Sequence, residues 1–211
     1  MKTDDLIRGL SADAEPRAMP MRRAWLAGLA LALVAAALMF FAMLGPRPDI
    51  AEAMRTWRFP FKFVVAGLLA IAAWRVLRDA GRPEAKKRGL LLLLVAPAAL
   101  LAAASLDMAL LPAEERMARM IGSNAMLCLV AIPAIGLLPL GSFLATLRYG
   151  ASTSPALDGA LAGLLAGAVA AFFYAAHCID DSPLFVTVWY TPGIVLLAGL
   201  GAIAGRLWLK W

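Results

Sequence analysis

Histidine occurs once in this chain, at His177, and cysteine twice, at Cys128 and Cys178. Two cysteines far apart in sequence cannot build a multi-disulfide scaffold or a four-cysteine zinc ribbon. They also lack the Cys-x-x-Cys spacing usual in thiol oxidoreductases. A single histidine excludes a His-Glu-x-x-His zinc motif. No glycine-rich phosphate loop is present, and no serine motif points a Ser/His/Asp triad at His177. Charged residues make up only 16% of the chain and are nearly missing from the middle of its apolar runs. That distribution speaks against an ion-coupled transporter or a proton relay. The absences favour binding or signalling over catalysis.

What the chain has in excess is apolar surface. Hydrophobic residues are 63% of it and the mean hydropathy is +0.79, well above the roughly 45–50% of a soluble domain. A helix needs roughly 20 mainly apolar residues to cross the hydrocarbon core. Six segments qualify: residues 24–44, 61–77, 89–111, 125–147, 157–176 and 186–208. The expected fold is all-α, a six-transmembrane helix bundle with a short cytoplasmic N-terminal helix. Short connections make residues 24–211 one membrane domain behind a tail of residues 1–23. Arg22 and Arg23 before the first apolar run suggest a secretory signal. The run is too long for a cleaved one, however, and no clear Ala-x-Ala site follows. Gly159, Gly163 and Gly167, with Gly201 and Gly205, recur at four-residue spacing, the pattern of close helix packing within a bundle. Pro97, Pro133 and Pro139 are expected to kink the third and fourth spans.

The net charge of +6 is read as topology, with no direct nucleic-acid binding implied. Fourteen basic residues fall on one side of the alternating connections: Lys2, Arg8, Arg17, Arg22 and Arg23, then the six between Arg75 and Arg88, then Arg148, Arg206 and Lys210. Five fall on the other: Arg47, Arg55, Arg58, Arg116 and Arg119. The positive-inside rule then puts both termini in the cytoplasm. Lys62 and Asp107 sit near span ends, Lys62 to snorkel and Asp107 to reach water.

Two stretches stand apart from the apolar background. The first is "TDDLIRGLSAD" in the tail. Thr3 is a plausible N-cap, Asp4 and Asp5 suit the positive first turn, and Leu6, Ile7 and Leu10 form a short apolar face. Alone such a helix is marginal in water, so it either docks on a partner, lies on the bilayer or frays. The second is "HCIDDSPLFVTVWY", which gathers the rare side chains. Topology places His177 and Cys178 at the outer end of the fifth span and Cys128 one turn from the outer start of the fourth. Asp180 and Asp181, with Asp107 near that level, complete an outward-facing set. Thiolate and imidazole suit soft or borderline metals, and the thiols could equally form a disulfide on an oxidising outer face. The competing structural reading makes Cys128 a packing residue, His177 a helix-end partner and Asp180-Asp181-Ser182-Pro183 a solvated turn.

These two stretches and the six spans together resemble the bacterial negative-regulator-of-sigma-F family, integral-membrane anti-sigma factors of extracytoplasmic-function (ECF) sigma factors. The resemblance implies an inner-membrane protein whose cytoplasmic segment sequesters such a sigma factor through Thr3, Asp4, Asp5, Leu6, Ile7, Leu10 and Asp13. It implies that Cys128 and Cys178 sense heavy metal or oxidant and release the sigma factor in a stress response. His177, Asp180 and Asp181 complete the candidate metal set. No resident cofactor is required, only a transient heavy-metal ion at the cysteine site. A small permease or metal exporter, or a membrane thiol-disulfide oxidoreductase, is the alternative.

Overall fold

Inside a bilayer no water satisfies backbone N–H and C=O groups, so apolar runs of this length must satisfy them internally as helix. The computed structural model describes residues 3–12, 20–80, 87–150 and 152–209; among them it is helical, with no strand. Helix α1 spans Thr3–Ala12, α2 Met21–Met43, α3 Ile50–Ala53 and α4 Arg58–Ala80. A 3-10 segment, Lys87–Leu94, runs into α5, Val95–Leu110. There follow α6 (Ala113–Ile121), α7 (Ala125–Leu147) and α8 (Pro155–Tyr174). The last span is composite: α9 (Pro183–Phe185), a wide π turn (Val186–Tyr190) and α10 (Thr191–Trp208). Six of these helical stretches are long and apolar enough to cross a membrane.

Most boundaries agree with the apolar runs, and the departures have local causes. The third span changes pitch where the 3-10 segment gives way to α5. Pro97 then lies in the first turn of α5, where a helix N–H has no partner within the helix in any case. Pro133 and Pro139 do lie inside α7, and each removes a bond that would run to Leu129 or Ile135. The short helices α3 and α6 lie on connections and were not signalled by hydropathy.

Helix α8 is the most enclosed span, packed on α10, α4 and α7. Its contact with α10 is made by bare backbone. A Cβ on Gly159 would lie 2.1 Å from the Gly201 carbonyl oxygen, one on Gly163 2.0 Å from that of Leu197, and one on Gly205 2.2 Å from that of Pro155. Where lipid is as apolar as any side chain, such close approach supplies dispersion that a looser contact would not. The glycine stripe is thus satisfied within one chain. Leu31, Leu38, Phe41, Leu101, Leu106 and Val195 face outward, as lipid-facing helices require.

Candidate functional site

The alternation of spans brings the start of α4, the end of α5, the start of α7 and the end of α8 to one end of the bundle, where residues 175–182 form the connection to the last span. Residues 175–182 are folded inward. Cys178 is fully buried, and its carbonyl accepts from the Lys62 ammonium at 2.8 Å and from the Arg47 guanidinium at 3.4 Å. Asp181 binds the same two cations, Lys62 at 2.6 Å and Arg47 at 3.0 Å. Arg47 also holds Asp49 at 2.6 Å. Both cations stand over the Phe59 ring, at 5.5 Å for Arg47 and 5.2 Å for Lys62, where the ring face adds attraction.

Lys62 therefore does not snorkel. It is 2% exposed and turned inward, because Asp181 and the Cys178 carbonyl offer it a charge and an acceptor that hydrocarbon would not. Nor does Asp107 reach water: it is buried between Arg58 and Ser182, whose hydroxyl donates to it at 2.7 Å. The Asp-Asp-Ser-Pro stretch is not a plain solvated turn, since Ser182 is buried and Asp181 carries two ion pairs. The hydrogen bond to Asp49 and then that to Asp181 push the Arg47 pKa above its already high value, against the opposing effect of burial. The Arg47 hydrogen bond in turn lowers that of Asp49.

The two cysteines meet beneath this ionic cover. Both are fully buried and free. The Cys128 sulfur lies in hydrogen-bonding contact with the Tyr174 hydroxyl, at 3.2 Å, and stands beside the Cys178 side chain. Cys178 donates to the Asp180 carbonyl at 3.7 Å. Contact with Cys128 holds the Cys178 thiol below the ordinary thiol range, and the nearby Lys62 charge adds to this while burial opposes it.

The remaining candidates have other partners. The Asp180 carboxylate accepts the backbone N–H groups of Ser123 at 3.0 Å and Asn124 at 2.8 Å, and so caps α7 from a distant part of the chain. This requires Gly122: its φ of +59° turns the chain, and a Cβ there would lie 2.5 Å from the Phe185 ring. His177 pairs through Nδ1 with the Gly45 carbonyl at 2.9 Å. Among the described residues, no three His, Cys, Asp or Glu side chains converge as a metal cradle. The structure joins Cys128 to Cys178 and sets His177, Asp180 and Asp181 around them in separate pairings. It adds Arg47, Lys62, Tyr174 and Tyr190, which the sequence reading did not include. The signal for Lys62 was present as a cation inside an apolar span.

At the other terminus, α1 forms with Asp4 and Asp5 in its first turn. Ile7 is 57% exposed. Asp13 and the side chains of Leu6 and Leu10 lie outside the described residues.

Comparison with known proteins bears on the whole chain. Residues 10–211 match the family model described as negative regulator of sigma F. The chain is 35% identical to the anti-sigma-F factor NrsF of Caulobacter vibrioides, across the full length of both. It is 31% identical to the probable anti-sigma-F factor NrsF of Azospira oryzae, again across the full length of both. No solved structure matches it.

Proposed function

This chain belongs to the negative-regulator-of-sigma-F family, and from that premise we propose that it is a membrane anti-sigma factor that holds an ECF sigma factor through its cytoplasmic N-terminal segment. Heavy metal or oxidant acting on Cys128 and Cys178 releases it. In this reading both termini lie in the cytoplasm and the protein resides in the bacterial inner membrane, an orientation that the distribution of basic residues supports.

The observation that carries the reading is that two buried thiols from distant parts of the chain stand side by side at the end of the bundle read as outward. A paired thiol site suits a soft ion or a disulfide. Either product alters the distance between α7 and the 175–182 connection. That connection is tied by the Cys178 carbonyl and Asp181 to Lys62 on α4 and to Arg47 beyond α2. A change at sulfur is therefore also a change in the helices that lead back to the tail. Release requires the signal to bind the releasing conformation more tightly than the holding one. At the cytoplasmic end, α1 offers Asp4, Asp5 and Ile7 to a partner groove, and docking would supply the stability that so short a helix lacks alone.

Cys128→Ser and Cys178→Ser proteins are expected to insert normally, hold the sigma factor and fail to release it on cadmium or oxidant exposure. Reporter transcription from the sigma-dependent promoters measures this. Wild-type induction in both variants would remove the sensor role. Deleting residues 1–15 is expected to leave the protein in the membrane, abolish co-purification of the sigma factor and raise its promoters without stress. Retained binding would move the contact to the basic connection between Arg75 and Arg88.

A further inference from the structure

Helix α6, on the connection between the third and fourth spans, has no buried residue. Its sequence, AEERMARMI, is nonetheless two-faced. At 3.6 residues per turn Met117, Met120 and Ile121 fall on one side, and Glu115, Arg116 and Arg119 on the other. Met117 is 60% exposed and Ile121 49%. A helix of this pattern lays its apolar side on something apolar, and here the protein leaves that side open. The charged side is accounted for. Arg119 pairs with Glu115 and lines a cavity of about 600 Å³ with Arg55, Arg58, Asp180 and Asp181. So much charge belongs with water, and the apolar side of α6 is turned away from it.

The residues that flank α6 indicate what meets that side. Leu110, at the end of α5, is 75% exposed, and Met126, at the start of α7, is 76% exposed. Both lie on membrane spans, so lipid covers them. Because α6 joins these two points, its apolar side continues the lipid-facing surface at the edge of the bilayer. Trp189 of the last span donates its indole N–H to the Met120 carbonyl at 2.8 Å. Tryptophan is the side chain that collects at this boundary. We propose that α6 lies flat in the membrane–water boundary at the thiol end, with Met117 and Ile121 in the lipid, and that this anchor keeps the cover over the thiols in place. Apolar burial holds the helix. Its two glutamates and two arginines cancel, which leaves no preference for charged lipid. The link to the thiols is short. Gly122 turns the chain after α6, and the Ser123 and Asn124 N–H groups then hold the Asp180 carboxylate. The Asp180 carbonyl accepts from Cys178, and the neighbouring Asp181 carries ion pairs to Arg47 and Lys62. Lifting α6 from the lipid therefore pulls on the 175–182 connection. The anchor goes beyond the sensor reading and does not depend on which signal the thiols take.

The test uses full-length protein in phosphatidylcholine liposomes. Met117→Cys, Ile121→Cys and Glu115→Cys are each made in the Cys128→Ser/Cys178→Ser protein and labelled with an environment-sensitive fluorophore. Labels at 117 and 121 are expected to be quenched by spin-labelled phosphatidylcholine and shielded from iodide supplied on both sides, and the label at 115 to show the reverse. Iodide quenching at all three positions places α6 in water and overturns the proposal. Shielding from both quenchers at 117 and 121 means a protein partner or a second copy covers the face, and overturns it as well. The second arm keeps both native cysteines. Met117→Glu is expected to speed labelling of Cys178 by a membrane-impermeant maleimide roughly tenfold, the scale of losing a partly buried apolar side chain. Met117→Leu, which keeps the anchor, should label as slowly as the wild type. Equal rates for Met117→Glu and the wild type show that α6 does not hold the cover, and overturn the proposal while leaving the sensor reading intact.

Discussion

Asp181→Ala is expected to destabilise the protein by about 3–5 kcal/mol, the usual result of stripping one partner from a buried ion pair. The size follows from what remains. Lys62 has a side chain only 1% exposed. Without Asp181 it keeps the Cys178 carbonyl and the Phe59 ring, neither of which carries a full negative charge. Arg47 keeps Asp49 and suffers less. Thermal unfolding in detergent measures the loss. A second readout separates lost stability from lost cover: a membrane-impermeant maleimide should label Cys178 quickly in the variant and slowly in the wild type. Adding Lys62→Met removes the orphaned charge and should recover much of the stability, with the two substitutions strongly non-additive. An Asp181→Ala protein as stable and as protected as the wild type would mean that the ion pairs do not close the site. In cells, an open site should also raise the sigma-dependent promoters without stress.

Asp181 also marks the boundary of what could be read from the residues. The six spans follow from hydropathy because the bilayer imposes length and helix on any apolar run. The glycine stripe of α8 was legible for the same reason: small residues at four-residue spacing have one main use in a membrane. Cys128 and Cys178 could be placed at one depth by counting spans, and the structure sets them side by side. Lys62 could not be resolved that way. Hydropathy gives its depth and not its azimuth, and only azimuth decides between snorkelling to the interface and turning inward. Its acceptor on Cys178 is 116 residues away in sequence. The same holds for Asp107, whose partners Arg58 and Ser182 come from the start of α4 and from the 175–182 connection. Asp180 suits a metal by its carboxylate alone, and in the structure it caps a helix whose start is 56 residues distant. The π turn left no trace in hydropathy, because widening one turn changes the geometry of a helix and not its composition.

Gly163→Ala is expected to be among the most damaging single methyl additions to this bundle. The new carbon would lie 2.0 Å from the Leu197 carbonyl oxygen. That atom is backbone, so relief comes only by separating α8 from α10. Overpacking that side chains can absorb costs about 1–3 kcal/mol, and here no side chain is available to yield. Two neighbours calibrate the effect. A Cβ on Gly167 would lie 3.0 Å from the Ile194 Cα, a tight contact that a small shift relieves, so Gly167→Ala should cost less. A Cβ on Gly199 would meet nothing within 4 Å; there alanine should be neutral or slightly stabilising, since it favours helix over glycine. Thermal unfolding of the three variants gives the order directly, and equal effects would show that α8 and α10 do not meet as described. The consequence extends to the thiols. Cys178 follows the end of α8, and Tyr190 stands at the start of α10 beside it. Helices pushed apart at Gly163 carry those two residues away from one another and from Cys128. A Gly163→Ala protein that still inserts should therefore form the Cys128–Cys178 disulfide more slowly under diamide than Gly199→Ala, although neither substitution touches sulfur.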